Sequence, residues 1–225
     1  MSVEEANEAV KNYIGWGVGA KGSISAYSEH GAKYEEYMKT LNYQGPKVLA
    51  ETVVKLLKDN RDAKILDIAA GTGLVAEQLV LRGFRNIDGV DAASGLLQVA
   101  RNKGIYGKLV CQFVGLGEEM PFENDMTDME IVLADSYDIV AMCGAMAKNH
   151  LPSSGFADII RVVKPGGYVV NVFGKKAMNA PWHEDGLESC LTKLEKGGRW
   201  KEISRNTFPN FIADKPGLVL IHQVL

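Results

Sequence analysis

A glycine-rich stretch that directly follows an apolar run carries the strongest chemical signal in the chain. It reads Ile65-Leu-Asp67-Ile-Ala-Ala-Gly71-Thr-Gly73-Leu-Val-Ala76, which matches the pattern G-x-G-x-x-A. Glycines at this spacing let the backbone approach a nucleotide closely, and an acid about 20 residues further on binds the ribose hydroxyls. Asp91 lies 20 residues after Gly71, at the end of the next apolar run. The spacing therefore predicts a nucleotide-type cofactor bound where the first strand ends.

The charge of Asp67, four residues before Gly71, discriminates between the possible ligands. A desolvated carboxylate at the pocket mouth repels the pyrophosphate of a dinucleotide. S-adenosylmethionine instead carries a sulfonium and an ammonium, which the carboxylate attracts, and a ribose that suits Asp91. Its own carboxylate can meet backbone N–H groups near Thr72 and Gly73, at the positive end of the following helix. The charges favour S-adenosylmethionine, and an NAD-dependent oxidoreductase remains the alternative enzyme class.

The elements that must position this loop follow from the hydrophobic pattern. Apolar runs of strand length alternate with segments of helical period, which predicts a mostly parallel sheet with helices on both faces. The last two runs are separated by two prolines and no clear helix, so an antiparallel last strand is expected. The sequence thus predicts a doubly wound α/β fold with seven strands, at residues 64–70, 86–91, 109–114, 138–143, 167–173, 202–205 and 218–224.

The pattern changes at Gly45-Pro46, where a polar, tyrosine-rich stretch gives way to regular alternation. This break predicts an N-terminal helical lid at residues 1–45 and a cofactor-binding domain at residues 46–225. Glycines at positions 15, 17, 19 and 22 argue against a continuous stable helix across residues 12–28. A polar segment of this kind buries little apolar area alone, so it is expected to become ordered over bound cofactor.

The composition limits the class of partner. The chain has 225 residues, of which 46% are hydrophobic and 24% charged, with a net charge of −3, as in an average soluble domain. The absence of a basic stripe predicts no nucleic-acid partner, and no apolar run approaches the ~20 residues of a membrane span. Three widely spaced cysteines indicate reduced thiols, a cytoplasmic location and no metal site. A monomer or weak homodimer is expected.

The motifs resemble those of a known family. Asp67-Ile-Ala-Ala-Gly-Thr-Gly73 resembles motif I of class I S-adenosylmethionine-dependent methyltransferases, Gly89-Val-Asp91 their second motif and Tyr137-Asp-Ile-Val140 their fourth. The stretch Arg161-Val-Val-Lys-Pro-Gly-Gly167 resembles the turn before their fifth strand. Between about residues 25 and 200, the chain more narrowly resembles the methyltransferase-like proteins named after the Williams–Beuren syndrome region. The resemblance implies a Rossmann-like methyltransferase fold and methyl transfer from S-adenosylmethionine, with S-adenosylhomocysteine as product. A small molecule is the expected acceptor, since no basic feature favours a nucleic acid.

The resemblance also implies the positions that contact the cofactor. The glycine loop would line the methionine part, Asp91 the ribose and the following helix the adenine. The implied contacts in this region are Asp67, Ala69, Gly71, Thr72, Gly73, Asp91, Ala92 and Leu96. Cys143 and Gly144, at the end of the fourth strand, would lie beside the path of the methyl group.

Two further parts of the implied site are less regular. Many members of the family have an acid facing the adenine amine, where this chain has Gly115-Leu116-Gly117. The backbone of Leu116 and Gly117, or the side chain of Glu118, would take its place. Tyr27 and Tyr34 share a helical face and resemble a cover over the methionine part, although such a pair also suits core packing.

His150 is the one candidate catalytic residue, because it follows the fourth strand and histidine is the usual general base. No acid is spaced to orient it, so an ordinary loop histidine is the alternative. An amine, carboxylate or thiolate acceptor would need little help from a base. A non-catalytic module that binds S-adenosylmethionine as a partner or sensor is a third hypothesis, since cofactor binding and acceptor chemistry use different residues.

Overall fold

The computed structural model describes residues 1–13, 19–115, 121–123, 129–131, 134–183 and 186–225. Within these residues it contains strands β1 (Ile65–Ile68), β2 (Ile87–Asp91), β3 (Leu109–Cys111), β4 (Pro121–Glu123), β5 (Met129–Ile131), β6 (Tyr137–Cys143), β7 (Val163–Gly174), β8 (Trp200–Ile212) and β9 (Lys215–Val224). Its α-helices are α1 (Val3–Tyr13), α2 (Gly19–Thr40), α3 (Gly45–Leu57), α4 (Leu74–Val80), α5 (Ser94–Asn102), α6 (Phe156–Val162) and α7 (Leu187–Lys196).

Seven of the described strands form one sheet in the order β3-β2-β1-β6-β7-β9-β8. Strand β1 pairs in parallel with both β2 and β6, whereas β9 runs antiparallel to β7 and β8. This confirms the predicted mostly parallel, seven-stranded sheet with an antiparallel last strand. The strand order reverses between β1 and β6, and ligands of doubly wound folds bind beyond the carboxyl ends of the strands at such a point.

Two hydrophobic layers cover the faces of the sheet. Leu49 of α3 and Leu79 of α4 pack in the layer on one face, and Phe156 of α6 and Trp200 pack in the layer on the other. All four residues of β1 are buried, as expected for a strand covered on both faces. The sheet is therefore a rigid support for the loops at its carboxyl edge.

The C-terminal strands differ from the sequence prediction. Strand β8 extends over Trp200–Ile212 and includes Pro209, which had suggested a loop. A proline lacks a backbone N–H and is tolerated in edge strands and bulges. Strand β8 is the edge of the sheet, and its pairing with β9 shifts register between Phe208 and Ile212. The proline thus costs no central hydrogen bond. The hairpin of β4 and β5 was not predicted.

The glycines argued against one continuous helix across residues 12–28. Residues 14–18 lie outside the described residues, and helix α2 begins at Gly19, includes Gly22 and continues through 22 residues. It crosses α5 where both helices carry glycine. A Cβ on Gly95 would lie 1.9 Å from the carbonyl oxygen of Ser28, and one on Gly31 would lie 2.7 Å from the carbonyl oxygen of Gly95. The close packing of the two helices stabilises α2 and compensates for the low helix propensity of its glycines. It fixes α2 above the start of α5.

An ion pair supports the same crossing. The Lys103 ammonium, just after α5, contacts the carboxylate of Glu35 on α2 and lies 3.1 Å from that of Glu77 on α4. The Lys103 side chain is only 16% exposed, so solvent screens these pairs less than it would on an open surface. Helix α2 is therefore tied to the elements that follow β1 and β2.

Candidate active site

A cavity of about 330 Å³ opens at the carboxyl ends of β1, β2 and β6, within the size range of small-molecule sites. Its walls also include residues of α1, α2, the end of β8 and the start of β9. The predicted site residues on these walls are Tyr27, Tyr34, Ala69, Gly71, Asp91, Ala92, Leu96, Cys143, Gly144 and His150. Positions far apart in sequence thus meet at one cavity.

The glycine loop follows β1 with a backbone that favours glycine. Ala69 has a φ of 58°, Gly71 of 56° and Gly73 of 90°, all in the left-handed region. A Cβ on Gly71 would find its nearest neighbours only at 4.0 Å, so the requirement for glycine at this position comes from the backbone conformation. The loop presents Ala69 and Gly71 to the cavity.

Asp91 ties this loop to the end of β2. Its Oδ2 accepts a hydrogen bond from the Gly71 N–H at 2.9 Å, and its Oδ1 accepts one from the Ala93 N–H at 2.8 Å. Burial raises the pKa of Asp91, and these backbone N–H groups oppose that shift. A carboxylate offers about four lone-pair positions, so Asp91 can still accept hydrogen bonds from a ligand in the cavity.

Asp67 lies beneath the glycine loop rather than on the cavity wall. It is fully buried, and its Oδ2 accepts a hydrogen bond from the Tyr106 hydroxyl at 2.8 Å. Its Oδ1 is buried and has no hydrogen-bond partner among the described residues. Burial, with a smaller contribution from the nearby charge of Asp91, raises the pKa of Asp67 to about 7, although the Tyr106 hydrogen bond acts to lower it. An orphaned carboxylate oxygen of this kind is stabilised by a nearby positive charge.

Thr72 and Gly73 also lie outside the walls of the cavity. Thr72 is 1% exposed, and its Oγ1 has no hydrogen-bond partner within the described part of the chain. A Cβ on Gly73 would lie 3.2 Å from the Tyr106 ring. Tyr106 therefore supports both Asp67 and the loop, a role that no sequence motif indicated. The predicted contacts Leu116, Gly117 and Glu118 lie outside the described residues.

Tyr27 and His150 meet on the cavity wall. The Tyr27 hydroxyl lies 3.0 Å from His150 Nε2, and the two rings pack edge to face with centroids 5.4 Å apart. Tyr34 packs against Tyr27 with a centroid distance of 6.0 Å. The predicted tyrosine pair and the candidate base thus form one aromatic group. An acid to orient His150 is not needed, because the carbonyl oxygen of Lys148 lies 2.7 Å from Nδ1.

Cys143 ends β6 in contact with a further tyrosine. Its Sγ lies 3.1 Å from the Tyr43 hydroxyl, and a Cβ on Gly144 would lie 3.1 Å from that hydroxyl. Burial raises the pKa of the Cys143 thiol and that of Tyr43. A neutral thiol is a weak nucleophile, which agrees with a wall role for Cys143.

The cavity wall at the end of β8 and the start of β9 was not predicted from the sequence. Strands β7 and β8 both run antiparallel to β9 and therefore point the same way, so the turn after β8 lies at the carboxyl edge of the parallel strands. The alternation of apolar and polar residues after residue 200 was the available signal. It would have placed the turn correctly if the predicted strand had been continued through Pro209. The unpredicted wall residues come from the strand ends that flank this turn and from the N-terminal helices, and they include Asn7, Val10, Lys11, Ser23, Ile24, Met38, Phe211, Ile212 and Lys215.

Two general features of the described residues bear on the chemistry. They contain no group of three or more histidine, cysteine, aspartate or glutamate side chains placed to hold a metal ion. No helix among them has both the length and the apolar character that a membrane span requires.

Comparison with known proteins places the chain in a family. Residues 66–171 match the family described as "Methyltransferase domain". Human methyltransferase-like protein 27 is 31% identical over 178 residues, which are 79% of this chain and 67% of that protein. The ubiquinone/menaquinone biosynthesis C-methyltransferase UbiE of Geobacter sulfurreducens is 24% identical over 149 residues. This match covers 64% of the chain and only 54% of the relative.

Solved structures share the fold. A TehB-like S-adenosylmethionine-dependent methyltransferase from Corynebacterium glutamicum aligns with a TM-score of 0.59 at 18% identity, covering 88% of this chain and 99% of that one. The 1,6-didemethyltoxoflavin-N1-methyltransferase of Burkholderia thailandensis, solved with 1,6-didemethyltoxoflavin and S-adenosylhomocysteine, aligns at 0.59 and 15% identity over 91% of this chain and 88% of that one. The motifs, the sheet order and the identity to the human relative agree: the chain belongs to the class I S-adenosylmethionine-dependent methyltransferases.

Proposed function

We propose that the chain transfers the methyl group of S-adenosylmethionine to a small organic molecule bound in the same cavity. The observation that carries this proposal is the continuity of the cavity. It runs from Asp91 and the glycine loop to a largely apolar wall that includes Ile24, Met38 and Phe211. A mostly apolar cavity with a few convergent polar groups is typical of a small-molecule site.

The residues around the loop fit the cofactor. Asp67 has a buried carboxylate oxygen to which none of the described residues donates a hydrogen bond, and this oxygen suits the positive charges of the ligand. Asp91 reaches the cavity with lone pairs for the ribose hydroxyls, and the backbone of Ala69 and Gly71 borders the space for the methionine part. When bound, S-adenosylmethionine supplies a methyl group already activated by a sulfonium.

The protein must therefore align the acceptor and exclude water. Alignment in a near-attack geometry can supply ~7–11 kcal/mol of the barrier reduction. Met38, Tyr43 and Phe211 surround the space beside Cys143, at the end of β6, with apolar and aromatic side chains. The names of two similar proteins, a quinone-biosynthesis C-methyltransferase and a didemethyltoxoflavin N1-methyltransferase, support a small organic acceptor.

We further propose that residues 1–45 act as a lid. Helix α2 places Tyr27 and Tyr34 on the cavity wall, while α1 contributes Val10 and Lys11. Apart from the crossing of α5, this segment packs in a small cluster centred on Ala6, Met38 and Leu41 and contacts His150 through Tyr27. Bound cofactor adds contacts to it and should shift it toward the ordered state. Closing α2 over the site completes the acceptor wall.

Cofactor affinity should depend on pH through Asp67. Its pKa of about 7 in the free protein means that the carboxyl group is largely protonated at pH 6 and largely charged at pH 8. Because the charged form favours a cationic ligand, the affinity for S-adenosylmethionine should rise with pH across this window. Calorimetric titrations at pH 6, 7 and 8 should show this rise, and Asp67→Asn should reduce it. A parent affinity no more sensitive to pH than that of Asp67→Asn would contradict the role of Asp67.

Methyl transfer itself can be tested with labelled cofactor. The protein is incubated with S-adenosylmethionine carrying a labelled methyl group and a small-molecule extract, and products are separated by mass. A labelled product that is lost in Asp91→Ala supports the enzyme. Repeated absence of a labelled product, with cofactor binding intact, would instead favour a non-catalytic S-adenosylmethionine-binding partner or sensor.

A further inference from the structure

The protonation state of His150 follows from its hydrogen bonds. Its Nδ1 lies 2.7 Å from the carbonyl oxygen of Lys148, which can only accept, so Nδ1 carries a hydrogen. Desolvation by the surrounding protein lowers the pKa of His150, so the ring is neutral at physiological pH. The remaining lone pair is on Nε2. The Tyr27 hydroxyl, 3.0 Å away, therefore donates its hydrogen bond to Nε2.

This arrangement leaves the Tyr27 oxygen able to accept a hydrogen bond in the cavity. Both residues are wall residues, and Tyr27 lies one helical turn after Ser23 on the same face of α2. Ser23 is 2% exposed, also lines the cavity, and its Oγ has no hydrogen-bond partner among the described residues. A buried hydroxyl of this kind is satisfied by a ligand or by ordered water in the cavity. The cavity wall therefore presents two hydroxyl groups, those of Ser23 and Tyr27, from successive turns of α2, and the residues around them are mostly apolar.

We propose that Tyr27 and His150 form a proton relay that suits the site to an acceptor with a phenolic hydroxyl, an inference that rests on the proposed methyl transfer. The aromatic side chains of Tyr43 and Phe211 line the same cavity and suit an aromatic ring. Carboxylates and thiolates need no relay, because they reach the site already ionised.

Each bond change and proton transfer in this relay can be assigned to a named atom. The acceptor oxygen donates its hydrogen bond to Tyr27 Oη. As the bond from this oxygen to the methyl carbon forms, the sulfur–methyl bond of S-adenosylmethionine breaks and its electron pair stays on sulfur. The acceptor proton passes to Tyr27, and the Tyr27 proton passes to Nε2 of His150. His150 ends as an imidazolium, which returns its proton to water when the product leaves.

A matched pair of probes tests the relay: 4-ethylphenol, and 4-ethylthiophenol, which has the same shape but ionises readily near neutral pH. Tyr27→Phe should lower kcat for the phenol by ~10²-fold or more, the range of general-base effects, and alter kcat for the thiol by less than about threefold. His150→Gln should act in the same direction. Tyr37→Phe, the same change elsewhere on α2 and outside the cavity, is the control.

A second measurement does not depend on turnover. Nitrogen-15 spectra of the complex with S-adenosylhomocysteine should show His150 protonated on Nδ1, with an Nε2 signal that shifts in Tyr27→Phe and on addition of 4-ethylphenol. An Nε2-protonated ring would overturn the relay. Equal loss of phenol and thiol methylation in Tyr27→Phe would also overturn it, as would the absence of phenol methylation by the parent protein. Failure to bind S-adenosylhomocysteine in calorimetry would instead overturn the proposed function itself.

Discussion

Replacing Asp91 by alanine is expected to weaken binding of S-adenosylhomocysteine by about 10- to 100-fold, since hydrogen bonds to a charged group contribute ~1–3 kcal/mol. The substitution removes the ribose acceptor and also leaves the N–H groups of Gly71 and Ala93 without their present partner. The loop that borders the cofactor thus loses its side-chain tie to β2 and keeps the backbone hydrogen bond from the Ala70 N–H to the Val90 carbonyl oxygen. Calorimetric titration of both proteins measures the change directly.

Asp138 provides the matched control. Its carboxylate likewise accepts a backbone hydrogen bond, from the Lys64 N–H at 2.8 Å, and pairs with Lys164 at 2.6 Å. It lies near the amino end of β6, whereas the cavity lies at the carboxyl ends of the strands. Asp138→Ala should lower the melting temperature and leave cofactor affinity within about twofold of the parent. Equal affinity losses in both variants would show that Asp91 acts only through stability.

The second large effect is expected from Gly95→Ala. The new Cβ would lie 1.9 Å from the carbonyl oxygen of Ser28, so α2 must move away from α5. Helix propensity does not oppose this change, because alanine favours a helix more than glycine does. The expected cost comes from overpacking, which typically destabilises the folded state by ~1–3 kcal/mol. Because α2 carries Tyr27 and Tyr34, we expect cofactor affinity to fall about tenfold or more, and hydrogen exchange across residues 26–41 to lose the protection that cofactor confers on the parent.

Ser94→Ala is the control for this prediction, because Ser94 is the exposed neighbour at the start of the same helix. It should bind cofactor as the parent does and gain the same protection in α2. If Gly95→Ala retains full affinity and α2 exchanges equally with and without cofactor, the segment is not a lid and its tyrosines only pack against the wall.

The central part of the fold was predictable because its signals are local. A buried run, a glycine loop and a helix of 3.6-residue period follow one another between Ile65 and Val80, and Asp91 closes the unit at the end of β2. The chain order of alternating elements then determines a parallel sheet, and the carboxyl ends of its strands must meet at one edge. Asp91 and the loop were therefore placed together correctly from spacing alone.

The rest of the site depends on contacts between distant segments. Helix α2 has poor intrinsic propensity and is held by a crossing with Gly95 that lies 64 positions beyond Gly31, which no local pattern reveals. Tyr106 supports Asp67 from a loop between α5 and β3, and nothing in its neighbourhood signals this hydrogen bond. Pro209 concealed the length of β8, and so concealed the wall formed by its exit turn.

The most direct test of the account is a calorimetric titration of the purified chain with S-adenosylmethionine and S-adenosylhomocysteine, paired with a fluorescence titration with NADH. We expect saturable binding of both methionine-derived ligands at one site per chain, weakened in Asp91→Ala, and no saturable binding of NADH. Absence of binding to S-adenosylmethionine and S-adenosylhomocysteine at millimolar concentration, or saturable binding of NADH, would contradict the assignment of the cofactor.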